Sequence, residues 1–292
     1  MRNLNTLPMG ARFDPVYADP TRPGSPLSDN YIVPYRGYAA LNMEEYASSS
    51  NYNSLQVQAN RRFAHGIQFG ANWTWARSMD YASNDWGSVS QYVDRSVWNY
   101  GPSDFDKRQV VNINWQWDIP KATRLMKNPV VKAVFDDWQL SGVATFSTGT
   151  PTTPGFSTVD SIDLNGGGDG TRMIMNGNPN LSSGSRTFTQ WFNTSVFLRP
   201  AKGTIGNMQR NALYKPGTNN FDLSFFKNIP IKERAHFQLR WEMYNAFNHT
   251  QFSGFNSSAR FDAAGNQVNT TFGQLTSTAA SRLMQGSLRF LF

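Results

Sequence analysis

The sequence predicts an all-β fold: an antiparallel transmembrane β-barrel, of which this chain supplies a C-terminal partial barrel of about seven or eight strands with long extracellular loops. Three observations lead there. Seven stretches alternate apolar and polar side chains with a period of two, where a helix would repeat every three or four residues. The stretches run to about ten residues, enough for a tilted strand to cross a hydrocarbon core and longer than a typical soluble strand. Charge is scarce: Asp, Glu, Lys and Arg make up 16% of the chain, against roughly 25% in an average soluble domain.

Residues 1–50 precede the alternation and are expected to form an extracellular loop or hairpin arm. Within them 38–47 is strand-like, but Glu44-Glu45 would be expensive at membrane depth. The first strand is expected near 53–63, with Leu55, Val57, Ala59 and Phe63 on one face and Ser54, Gln56, Gln58, Asn60 and Arg62 on the other. A short turn containing Gly66 leads to 67–77, where Ile67, Phe69, Ala71, Trp73 and Trp75 alternate with Gln68, Gly70, Asn72, Thr74 and Ala76. The pattern returns near 109–118 (Val111, Ile113, Trp115, Trp117) and near 138–148 (Trp138, Leu140, Ala144, Phe146). It returns again near 219–228 (Phe221, Leu223, Phe225), in 235–247 after a tight turn over 229–233, and in 284–292 (Met284, Leu288, Phe290, Phe292). The polar faces are mostly Gln, Asn, Ser and Thr, as a wet lumen requires. The apolar faces are rich in Phe and in Trp, most of the Trp residues lying near strand ends, where amphipathic indoles meet headgroups. Trp241, mid-strand, is the exception. Connections alternate between short and long, as in outer-membrane barrels, which places the chain in the cell outer membrane; 119–137 reads as a longer periplasmic connector.

Composition removes several classes of function. No apolar run approaches the ~20 residues of a spanning helix. The absence of Cys excludes disulfides, thiolate metal sites and a Cys nucleophile. Net charge is +7, but Lys and Arg are scattered. The densest stretch, Lys121 to Lys132, is broken by Pro129 and ends in Asp136-Asp137, so it reads as a solvated connector, and no nucleic-acid partner is expected. The N-terminus shows no apolar export segment.

Chemistry-bearing motifs are few. His65, His236 and His249 fall in a turn, a lumen-facing position and a loop, none with a second ligand at metal spacing. No catalytic residue, metal site or cofactor is expected, and the chain is not expected to be an enzyme. Asp163-Leu164-Asn165-Gly166-Gly167-Gly168-Asp169-Gly170 has the carboxylates and permissive turns of a calcium loop, but lacks the distal Glu of an EF-hand; a flexible loop is the favoured reading. The sharpest local signal is the C-terminal strand. Gly286, Phe290 and Phe292 belong to an alternating strand that ends on an aromatic, able to add edge-on to the sheet of an outer-membrane assembly machine.

Several blocks, in order, carry a family likeness: Asn51-Tyr52-Asn53-Ser54-Leu55-Gln56-Val57 with Asn60-Arg61-Arg62-Phe63; Gly149-Thr150-Pro151; Gln190-Trp191-Phe192-Asn193; Gly206-Asn207 with Arg210-Asn211; Phe221 to Asn228; and Arg240-Trp241-Glu242-Met243-Tyr244-Asn245 with Phe247-Asn248-His249. Together they resemble TonB-dependent outer-membrane transporters of the Oar-like, carboxypeptidase-regulatory-domain type, across nearly the whole chain. The resemblance implies a 22-stranded barrel with an N-terminal plug, energised uptake of a ligand, and a C-terminal aromatic assembly signal, although Met284 stands where that signal usually has a polar residue. No plug domain, TonB box or carboxypeptidase-like domain is in this sequence, so contact with the TonB complex would run only through missing N-terminal regions. The expected partners are outer-membrane lipid and the assembly machinery. The expected role is barrel wall and ligand-binding loops for a large polar ligand, with Trp86, Tyr92, Trp98 and Tyr100 in the long loops 78–108 and 149–218. Two rivals are a soluble or surface carbohydrate-binding or adhesion β-protein and a passive porin.

Overall fold

The computed structural model of the chain describes residues 1–85, 87–231 and 235–292. Seven long strands dominate it: β1 (Ser50–Ala64), β2 (Ile67–Asp80), β3 (Gln109–Asp118), β4 (Trp138–Ser147), β5 (Thr218–Pro230), β6 (His236–Tyr244) and β7 (Leu283–Leu291). They form one antiparallel sheet in sequential order, β1 to β7, with the short piece Gly101–Pro102 added to β2. The β1–β2 hairpin closes through His65 and Gly66, both at positive φ (55° and 79°), the backbone of a type I′ turn that matches the strand twist. The expected turn over 229–233 is described only at its start, where Ile231 N–H donates to the Ala235 carbonyl at 2.9 Å; residues 232–234 and Trp86 lie outside the described residues.

Register converts the alternation in each strand into rows that run across the sheet. Ala59, Ala71, Ile113, Ala144 and Phe221 align on one face. On the same face a second row joins Ile67, Trp117, Leu140, Phe225, Trp241 and Gly286. The opposite face carries Gln68, Gln116, Ser141, Ser224, Glu242 and Gln285 in a matching row. The apolar face stays bare: Val57, Trp73, Trp117, Leu239, Trp241, Leu288 and Phe290 are all exposed. In water such a continuous patch would be untenable, whereas lipid is its natural neighbour.

Among the residues that break the alternation, three have a clear local reason. Arg61 falls opposite Phe69 on the apolar face, but its guanidinium turns back to the Ala64 carbonyl at 3.4 Å, beside the hairpin turn. Lys227 shares the apolar face with Leu239 and donates to the Asp136 carbonyl at 2.7 Å. Phe226 lies on the polar face, under the Arg240 guanidinium at 4.4 Å.

The sheet is open rather than closed into a barrel: neither β1 nor β7 pairs along its outer edge among the described residues. Free edges cannot persist in hydrocarbon, where no water satisfies their backbone groups.

Compact cores lie instead at the loop end. The segments between β4 and β5 and between β6 and β7 gather Met173, Phe192, Phe197, Met208, Leu213, Phe261 and Phe272 into one cluster with no member from the seven strands. Phe192 is its centre, with Phe197, Phe255 and Phe272 rings 5.1 to 5.7 Å away. Short ladders frame it: Pro151–Thr152 with Leu213–Tyr214, Gly155–Thr158 parallel to Ser258–Phe261, and Phe252–Phe255 with Leu275–Thr278. Residues 1–43 form an arm whose base is closed by Arg2–Asn3 pairing with Asn42–Met43, around Leu7, Ala11 and Ile32. The strand-like segment 38–47 thus contributes two paired residues rather than an eighth long strand.

The connector 119–137 is more ordered than a solvated loop. A 3-10 turn, Ala122–Arg124, precedes helix α1 (Pro129–Phe135). Pro129 does not break this stretch. It opens the helix at a position where its missing N–H costs nothing, behind an Asn128 side chain that accepts from Val130 N at 2.8 Å.

Candidate functional site

Where β4 leaves the sheet and β5 enters it, two chain segments cross closely. Lys215 N–H donates to the Thr150 carbonyl at 2.9 Å, and a Cβ on Gly149 would stand 1.8 Å from the Lys215 carbonyl oxygen, so only glycine fits there. This crosspiece separates two clefts. The inner one, of 530 Å³, opens on the polar face through Thr218, Asn220, Asp222 and Tyr244 and is bounded above by Gln251 and Phe252. The outer one, of 480 Å³, is lined by Arg108, Asn180, Arg186, Trp191, Tyr214 and Lys215 and, among the described residues, contains no carboxylate. Arg186 stacks over Trp191 at 4.7 Å, and the Trp191 indole N–H donates to the Tyr214 carbonyl at 3.0 Å, which fixes the ring plane. Arg108 Nε lies 3.2 Å from the buried Asp106 carboxylate, while among the described residues Arg186 and Lys215 have no acidic partner. A cleft with two uncompensated cations and a fixed aromatic face suits a polar ligand that bears negative charge.

The clefts are held in place by a polar hub centred on Arg210. Arg210 donates to Asp80 at 2.5 Å, Asp104 at 2.9 Å and Ser83 at 2.6 Å, joining the end of β2 to both long loops. Asn211, at φ 56°, adds bonds to the Pro102 carbonyl at 2.6 Å and to Asp104 at 2.7 Å. Nearby, Arg172 lies 4.1 Å over Trp98 and donates to its carbonyl at 2.6 Å. Burial, reinforced by the like charge of Arg210, pushes the Arg172 guanidinium down to about 10, still protonated at neutral pH.

The aromatic residues expected to grip a ligand serve mainly as joints between loops. Trp98 is buried under Arg172. The Tyr92 hydroxyl donates to the Leu7 carbonyl at 2.6 Å; burial, together with Asp169 and Asp163, pushes its phenol up to about 12. Tyr100 packs 5.2 Å from Tyr81 and accepts from Asn51. Trp86 lies outside the described residues. The aromatic that lines the outer cleft, Trp191, belongs to a block that sequence reading flagged only by likeness.

The remaining sequence candidates also find places. Asp163 accepts from Arg12 at 2.8 Å and from Gly168 N; Asp169 accepts from Ser90 and Gln91 at 2.8 and 2.9 Å. The two carboxylates therefore answer to different donors, and among the described residues no group of three acidic or His side chains converges on a cation site. His65 forms the β1–β2 turn, His236 lines a 560 Å³ cleft at the turn end, and His249 N–H donates to Asn245 in the turn leaving β6. Gly286 sits opposite Trp241, whose indole lies 3.4 Å from where a Cβ would be. Phe290 packs on Phe237 at 5.2 Å and stacks with Phe292 at 5.8 Å, so all three C-terminal candidates lie along the edge strand β7 or directly after it.

A sheet with one bare apolar face, one wet face and a folded loop end is what comparison with known families also finds: the outer membrane beta barrel domain family matches residues 1–285. The chain belongs to this outer membrane β-barrel domain family. Its location is the outer membrane. No curated protein and no solved structure matches it. Within an outer membrane β-barrel domain acyl chains are the natural cover for the bare face of β1–β7, and the inner cleft at the loop end opens on the polar face.

Proposed function

We propose that this domain is part of a TonB-dependent receptor that takes up a large polar ligand, contributing barrel wall and ligand-binding loops. The observation that carries the reading is the pair of clefts about the Gly149–Lys215 crosspiece, one cationic and aromatic, the other continuous with the polar face. A ligand caught in the outer cleft has a short path to the lumen side. The loop end then faces outward and the connector 119–137 faces the periplasm. A plug and TonB contact are supplied by regions outside this chain, and Gly286, Phe290 and Phe292 present the strand edge read by the assembly machinery.

The test uses the full-length transporter in cells with and without TonB, with acidic oligosaccharides as the first probes. The expected result is TonB-dependent uptake that falls when Arg186 and Lys215 are changed to Gln, with heat-modifiable gel migration retained. Uptake equal in both strains would identify a passive pore instead, and a chain that stays dissolved without detergent would point to a carbohydrate-binding surface protein.

A further inference from the structure

The connector between β3 and β4 carries a feature that the uptake role does not use. From Ile119 to Phe135 it holds four basic residues, Lys121, Arg124, Lys127 and Lys132, and no acidic one. Lys121 reaches Asp137 at 3.0 Å; the other three have no acidic partner among the described residues. The same segment exposes Leu125, Met126, Val130, Val134 and Phe135, with Leu125 96% accessible. Five large apolar side chains and three free cations on one short segment are costly in plain water, but they suit a boundary between water and lipid.

Its position settles which boundary. Trp138 leaves β4 on the apolar face, and its indole N–H donates to the Val134 carbonyl at 2.8 Å. Lys227, on the same face of β5, donates to the Asp136 carbonyl at 2.7 Å and lies 5.2 Å over the Trp138 ring. Both ties come from side chains on the lipid side of the sheet and both grip the C-terminal end of α1. Thr123 closes the other end, donating from its hydroxyl to Asp136 at 2.6 Å and from its amide at 3.1 Å. The connector is thus a clipped unit at the turn end of the sheet, held against the flank that acyl chains cover.

We propose that residues 121–135 form an interfacial anchor that binds anionic phospholipid headgroups of the leaflet at the turn end. Val130, Val134 and Phe135 enter the acyl boundary while Arg124, Lys127 and Lys132 pair with headgroup phosphates. Near an anionic surface each such cation is worth about a fivefold change in affinity. The proposal rests on the apolar face being the lipid face, and its test separates the two claims.

Because the chain has no Cys, single Cys positions can be labelled cleanly with an environment-sensitive fluorophore. Three labels are needed: Val134→Cys in α1, Ile113→Cys on the apolar face and Asn114→Cys on the polar face. The full-length transporter, with any Cys outside this sequence replaced, is folded into phosphatidylcholine vesicles with or without phosphatidylglycerol, each containing lipid spin labels placed shallow or deep. The expected result is quenching of the Ile113 label by deep spin labels in both lipids, with the Asn114 label left unquenched. The Val134 label is quenched by shallow spin labels, more strongly with phosphatidylglycerol. That increment shrinks as salt is raised in the otherwise unaltered chain and disappears in the Arg124→Gln/Lys127→Gln/Lys132→Gln variant. A Val134 label that stays in water, or whose quenching ignores phosphatidylglycerol and salt, overturns the anchor while the lipid face stands. An unquenched Ile113 label overturns the lipid face itself.

Discussion

Placing Arg at position 113 tests the assignment of faces most directly. Ile113 is central in β3, flanked in register by Ala71 and Ala144 on the apolar face, and Asn114 beside it projects to the polar face between Gly70 and Val143. If acyl chains cover Ile113, Ile113→Arg costs about 2–4 kcal/mol, because a guanidinium near mid-bilayer must snorkel or drag water with it. Asn114→Arg places the same charge one residue away in the wet lumen and stays within about 0.5 kcal/mol. Ile113→Ala isolates the packing part of the loss. The assay is urea unfolding of the full-length transporter in thin lipid vesicles, comparing midpoints at constant slope. Equal losses for the two Arg variants, or a greater loss at 114, would refute the two-solvent reading of the sheet.

Gly142 sits between Trp115 and Leu223, and a Cβ there would lie 2.4 Å from the Trp115 ring. Gly142→Ala therefore destabilises by about 1–3 kcal/mol, and a second change, Trp115→Val, recovers most of that in the same urea assay. Arg210→Ala leaves the buried Asp80 without its partner and costs about 3–5 kcal/mol; Arg210→Lys restores little, since one ammonium cannot reach Asp80, Ser83 and Asp104 together. Limited trypsin digestion reads this as faster cleavage within loop 81–108. Burial alone would raise the Asp136 carboxyl, but the Thr123 hydroxyl and amide hold it below the usual carboxylate range. A lowered folded value stabilises above the ordinary carboxylate range, and the benefit is lost as pH falls through the folded value. Thr123→Val therefore lowers the thermal midpoint at neutral pH, and the gap to the unaltered chain closes on acidification.

The strands were legible because period two is a local signal that a bilayer enforces strictly: one slip in register would bury Gln and Asn in acyl chains. Expected starts such as 67, 109 and 138 coincide with those of β2, β3 and β4, and the strand expected over 235–247 stops at Tyr244 because Asn245 takes φ 49° and turns the chain out. Phe226 and Lys227 resisted the pattern, since Arg240 and Asp136, which accommodate them, come from other segments. The loop core was illegible for the same reason on a larger scale. Phe192 meets Phe272 across eighty positions, and neither lies in a periodic run. The clefts and the hub surfaced only as blocks of likeness; what those blocks encode is physical, namely the close crossing at Gly149, the fork of Arg210 and the positive φ of Asn211. The helix within the connector was not legible because Pro129 looks the same in sequence whether it ends a segment or begins a helix.

The cluster around Phe192 gives this polypeptide a second inside, answering to a different solvent from the first. Water alone drives those rings together, whereas the flank bearing Trp73 and Trp241 gains nothing until acyl chains replace water around it. A chain travelling through water toward its membrane can therefore arrive with the loop end already shaped, leaving the wall to be laid down last.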